Sequence, residues 1–138
     1  MGLTYARLRL ANSRRPDLAA IEVDALADSA ALHLCIPEHV ALQLQLDELE
    51  KREVTTADGS RHLVPYMGPL TVSFANRQCY AGAMVLGSEA LLGAIPMEDM
   101  DLVVHPGTRQ VIPNPANPNI AGSIAMSVSR GGFAGRST

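Results

Sequence analysis

The chain has 138 residues, 47% of them hydrophobic and only 4% aromatic, which is enough for one domain whose core must be aliphatic. Eleven Lys plus Arg against fourteen Asp plus Glu leave a formal charge of −3, with no basic run and few aromatics for stacking, so nucleic acid is not an expected partner. No basic region with an apolar run opens the sequence and no apolar stretch approaches the roughly 20 residues of a membrane span; the expected location is cytoplasmic, with Cys35 and Cys79 as reduced, buried thiols.

Thr4, Ala6, Leu8 and Leu10 alternate with Tyr5, Arg7 and Arg9, predicting a first strand with a charged outer face. Asn12 to Asp17 is rich in turn formers, and Ile21, Val23, Ala25 and Ala27 then alternate with Glu22, Asp24, Leu26 and Asp28, predicting a second strand that pairs back on the first. Asp28 ends that strand. The small residues Ser29, Ala30 and Ala31 follow it and let other backbone approach the carboxylate and donate N–H groups to it. Leu32 to Ile36 reads as a third, apolar strand, and Pro37 with Glu38 signals a short helix running to about Leu46.

Arg52 to Ala57 and Ser60 to Tyr66 flank Asp58-Gly59, a strong hairpin signature. Gly68-Pro69 is expected to bend the chain before Leu70, Val72 and Phe74 alternate, and Ala75-Asn76-Arg77 turns into Cys79 to Leu86 as a second hairpin. Leu91-Leu92-Gly93 ends another short strand, Pro96 to Met100 carries helix-start signals, and Leu102-Val103-Val104 and Gln110-Val111-Ile112 form a last hairpin around Pro106-Gly107. Asn114-Pro115 and Asn117-Pro118 cannot continue a central strand, so a domain over 1–115 and a mobile Pro/Gly/Ser-rich tail over 116–138 are expected.

Leu26-Ala27-Asp28-Ser29-Ala30-Ala31 resembles the active-site loop of the retropepsin-like (retroviral-type, clan AA) aspartic proteases. Leu91-Leu92-Gly93, with Ala94 to Met100 after it, resembles that family's second loop and the short helix that follows. The resemblance covers roughly Thr4 to Pro113 and is nearest to small bacterial members. It implies a mainly β fold, a retropepsin-like acid-protease barrel with a flap hairpin and one or two short helices, and no cofactor.

It also implies the chemistry. Two carboxyls sharing one proton act as base and acid on a peptide bond, and two like charges about 3 Å apart cannot both ionise. The chain has one such loop and no internal repeat, so the implied enzyme is a homodimer with an Asp28 from each copy at the two-fold axis, acting on extended polypeptide. Ser29 is implied to hydrogen-bond across that axis. Thr55 to Val64 is implied to be the flap, with Thr56, Ala57, Asp58, Gly59 and Ser60 at or near its tip. Gly2 to Leu10 and Arg109 to Pro113 are the end strands available for an intersubunit sheet. The viral enzymes usually pair an Asp, two residues after their first-loop Gly, with an Arg after their second-loop Gly. Leu32 and Ala94 occupy those places, implying a more apolar subunit contact.

Ala30 stands where the family has Gly. A Cβ there costs little at negative φ, and on the order of 1 kcal/mol or more at positive φ. A second reading therefore stays open: a catalytically impaired peptide- or protein-binding module on the same fold. A strand puts His33 and Cys35 on one face while His39 lies in the next helix, and no fourth ligand is nearby in sequence, so they are read as structural histidines and a buried Cys, with no metal.

Overall fold

The computed structural model describes residues 3–123. Strand β1 (Tyr5–Asn12) buries Ala6, Leu8 and Leu10 and exposes Tyr5, Arg7 and Arg9, the alternation predicted for it. Strand β2 (Ile21–Ala27) lies antiparallel to it, with Leu8 opposite Val23. Then follow β3 (Cys35–Ile36), α1 (Glu38–Gln43), β4 (Asp47–Thr55), β5 (Arg61–Phe74), β6 (Arg77–Val85), β7 (Ala90–Leu92), α2 (Ala94–Asp99), β8 (Leu102–Val104) and β9 (Val111–Pro113).

The large sheet runs β1-β2-β7-β3-β6-β5-β4, and β1 also pairs with β5, so six strands close into a barrel and β4 projects from it as an outer strand. Its interior is the aliphatic core expected from composition, with Leu8, Leu10, Leu34, Ile36, Leu44, Leu70, Val72, Leu92 and Met100 all but fully buried. β8 and β9 form a separate antiparallel pair, as the sequence predicted. Cys35 and Cys79 are both free and buried, and burial, with the charge of Asp99, pushes the Cys79 thiol up to about 11. Among the described residues no helix is long and apolar enough to cross a membrane.

Four elements differ from the sequence-based expectation, each for a physical reason. The third strand shrinks from 32–36 to Cys35–Ile36, because the backbone of Leu32 and Ala31 bonds to the start of α2 instead of to a strand. The first helix stops at Gln43, since Gln45 takes φ 53 and the buried Asn12 side chain donates to the carbonyls of Leu44 (2.9 Å) and Gln45 (3.2 Å), capping the helix end from β1. β4 begins at Asp47. Its sequence, DELEKREVT, is exposed on both faces and shows no apolar alternation, so only its pairing with β5 defines it. The expected bend at Gly68-Pro69 is instead a register irregularity between Met67 and Leu70 inside one long β5.

The chain after β9 is tied down as far as it is described. Asp101, at φ 55, accepts from the Gly122 N–H (2.8 Å), Asn114 Nδ2 (3.1 Å) and Asn117 Nδ2 (2.8 Å), which hold its carboxyl below the usual range. Asn76 donates to the Pro118 carbonyl and the buried Arg77 to that of Asn117. From residue 124 the expected tail lies outside the described residues.

Candidate active site

Strands β2 and β7 run parallel, with Leu26 beside Leu91 and Ala27 beside Leu92, so the two motifs singled out in the sequence end side by side. The Asp28 N–H extends that ladder by one bond to the Leu92 carbonyl (3.0 Å). A turn follows, closed by Ala31 N–H to the Asp28 carbonyl (3.1 Å), while the Ala30 N–H donates to Asp28 Oδ1 (2.9 Å). The half-buried carboxylate is thus held at the mouth of an exposed loop in which Ser29 and Ala30 face solvent.

From the other side, Ala94 and Ile95 donate their N–H groups to the carbonyls of Ala31 (2.8 Å) and Leu32 (2.9 Å). Gly93 makes this approach possible: a Cβ there would lie 2.6 Å from the Leu32 carbonyl carbon and 2.7 Å from the His33 nitrogen, with the His33 carbonyl closer still. Its φ of −85 suits any residue, so the requirement is space alone. Leu91, Leu92 and Gly93 therefore act as a rail on which the Asp28 loop rests. Leu32 and Ile95 flank the crossing and are 60% and 50% exposed.

Ala30 is at negative φ; the described non-glycine residues at positive φ are Gln45, Ala75, Asp101 and Arg109. An alanine at this position is therefore unstrained. Its side chain is exposed and its N–H still reaches the carboxylate.

The expected flap is the β4–β5 hairpin. Its last paired residues are Thr55 and Arg61, so residues 56–60 form a longer loop than the predicted two-residue turn. The reason is Asp58, whose Oδ1 accepts from the hydroxyls of Thr56 (2.6 Å) and Ser60 (2.6 Å) and from the Ser60 N–H (3.0 Å), while Gly59 takes φ 87. Those donors, the Ser60 hydroxyl first, lower the Asp58 carboxyl to about 2.

At its base the hairpin meets the Asp28 loop through residues that sequence reading did not associate. Arg52 of β4 places its guanidinium 4.1 Å from the ring centroid of Tyr66 of β5 and its Nη1 3.3 Å from His33 Nε2. No local signal marks these three, because only strand register and the path of the loop join them. His33 is thus engaged with the hairpin, Cys35 is buried in β3 and His39 is exposed on α1; among the described residues no three His, Cys, Asp or Glu side chains gather as a metal set.

Two concavities, of about 710 Å³ beside Asp101, Asn114 and Asn117 and about 390 Å³ beside Glu38, Pro65 and Val85, do not include Asp28.

No family model and no curated protein matches the chain. Among solved structures it is similar to the retroviral protease-like domain of Ddi1 from Leishmania major, with a TM-score of 0.53 and 12% identity over 83% of this chain and 91% of that one. At that identity the likeness shows the fold: a retropepsin-like β-barrel.

Two outcomes are expected. Ala30→Gly lowers stability in urea unfolding by about 0.5–1 kcal/mol, because it frees the unfolded chain and relieves no strain; a gain would contradict the assigned backbone. Asp58, being lowered when folded, stabilises the turn above about pH 4 and loses that contribution as pH falls toward about 2. Its carboxyl resonance should titrate with a midpoint near the lower value, whereas a midpoint near 4 would dismiss the hydroxyl cage.

Proposed function

We propose that the chain is a cytoplasmic aspartic endopeptidase of the retropepsin type, a two-fold homodimer in which each copy supplies one Asp28 to a shared carboxyl pair. The observation that carries this reading is the crossing of the Asp28 loop with Gly93, which presents one backbone-held carboxylate on an exposed loop of a retropepsin-like barrel. One carboxylate has no acid partner of its own. A second copy supplies it.

In the pair, the ionised Asp28 takes a proton from a water held between the carboxyls, and the hydroxide attacks the peptide carbonyl. The protonated Asp28 donates to the carbonyl oxygen and, later, a proton is delivered to the departing amine. Ser29, exposed in one copy, bonds to the partner's loop and keeps the carboxyls in one plane. Leu32 and Ile95 bury against their counterparts, an apolar contact that needs no charge pair. The β4–β5 hairpin covers an extended peptide and pairs with its backbone.

The end strands bear on how the copies associate. β1 is laddered on both sides at Arg9 and Leu10, whereas among the described residues β9 is laddered to β8 alone, which makes the C-terminal pair the better candidate for extension across the axis. The alternative of an impaired binding module rested on Ala30, whose negative φ suits an alanine.

Sedimentation should give a dimer, and a diverse peptide library should be cleaved best between about pH 4 and 6, where one proton is shared by such a pair. Asp28→Asn should reduce cleavage by about 10²-fold or more with the dimer intact. A monomer at high micromolar concentration, or cleavage unaffected by Asp28→Asn, would overturn the proposal.

A further inference from the structure

Four parts of the chain meet where the β4–β5 hairpin leaves the barrel. Tyr66 pairs with Glu50 of β4 on one side and Met84 of β6 on the other. Its ring fills the space above Gly82 of β6, where a Cβ would lie 2.5 Å from Cε2. The Arg52 guanidinium lies over the same ring, and the His33 ring meets it edge-on, with centroids 6.1 Å apart and planes at 71°. Arg52 Nη1 then closes the junction on His33 Nε2 at 3.3 Å.

That last contact is selective for one form of the imidazole. A guanidinium only donates, so this hydrogen bond forms only when His33 Nε2 accepts, with the ring neutral and its hydrogen on Nδ1. Protonation would turn an acceptor into a donor and set two cations face to face. We propose that His33 is a protonation-sensitive pin, neutral when it ties the root of the β4–β5 hairpin to the Asp28 loop and releasing that root when it is charged.

The ionisable groups around it come from two strands. From β4 come Arg52 and, through Arg52 Nε at 2.8 Å, the Glu50 carboxylate; from β5 comes the Tyr66 phenol; Gly93, against its backbone, brings no ionisable group. Glu50 offsets part of the Arg52 charge, but it cannot restore the acceptor that His33 Nε2 loses on protonation. Arg52 keeps Glu50 and the Tyr66 face after release, so the hairpin loosens at its root while the barrel stays closed. The use of this device rests on the proposed function: the hairpin is tied at neutral pH and freed in acid, where a carboxyl pair carries its single proton and peptide must enter.

Hydrogen exchange without substrate tests the pin apart from catalysis. After correction for intrinsic rates, amides of β4 and β5 between Arg52 and Tyr66 should lose about tenfold protection from about pH 7.5 to about 5, the window in which histidine titrates, while β1–β2 amides hold. His33→Gln keeps an acceptor at every pH and should abolish the fall. Arg52→Gln, which serves if the first variant does not fold, should exchange fast at both pH values. A wild type without the fall, a His33→Gln protein that keeps it, or an Arg52→Gln protein protected like wild type at neutral pH would each overturn the inference. An inactive protein with a pH-gated hairpin would retain this inference and lose the proposed function; an active one with an ungated hairpin would do the reverse.

Discussion

The site depends on an exclusion of volume: Gly93 leaves no room for a side chain against the backbone of Leu32 and His33. That contact lets Ala94 and Ile95 reach the carbonyls of Ala31 and Leu32, and with the Asp28–Leu92 bond it holds the loop at both ends. Three consequences follow from one missing Cβ. The carboxylate is oriented by backbone rather than by a distant side chain, Leu32 and Ile95 lie exposed beside the crossing, and His33 is delivered to the hairpin root.

The barrel and the hairpin are stabilised by different physics. Strands of the barrel bury one face each and share a continuous aliphatic core, closed by the β1–β5 pairing. The outer strand β4 buries almost nothing and carries charges on both faces, with ion pairs such as Lys51–Glu48 and Arg52–Glu50 that are partly exposed and individually weak. An element held by one ladder and a few polar contacts belongs to the low-stability end of a fold, where moving parts are found. Its tip, by contrast, is held locally by the hydroxyls of Thr56 and Ser60 on Asp58.

Local chemistry made much of this legible in advance. The alternation of β1 and β2 and the Asp58-Gly59 hairpin each express a backbone or burial rule within a few residues, whereas the link between the Asp28 loop and Leu91-Leu92-Gly93 came from the family resemblance, and the structure brings those two motifs into one parallel register. What stayed hidden depends on register and long-range approach. The true start of β4 has no apolar pattern to betray it, Asn12 caps a helix more than thirty residues later, and Asp101 gathers Asn114, Asn117 and Gly122 across a hairpin. Arg52, Tyr66 and His33 meet for the same reason, through strand pairing that no window of sequence contains. Ala30 shows the converse case, since its meaning turned on one dihedral that residue identity leaves open.

In the proposed enzyme one catalytic centre is assembled from two copies of a single carboxylate. Co-refolding wild type with Asp28→Asn at varied ratios measures this directly, because a mixed dimer holds one Asp28 and cannot share a proton between two carboxylates. Activity per total protein should fall with the square of the wild-type fraction. A linear fall would mean that each chain carries a complete site of its own, and would contradict the shared dyad.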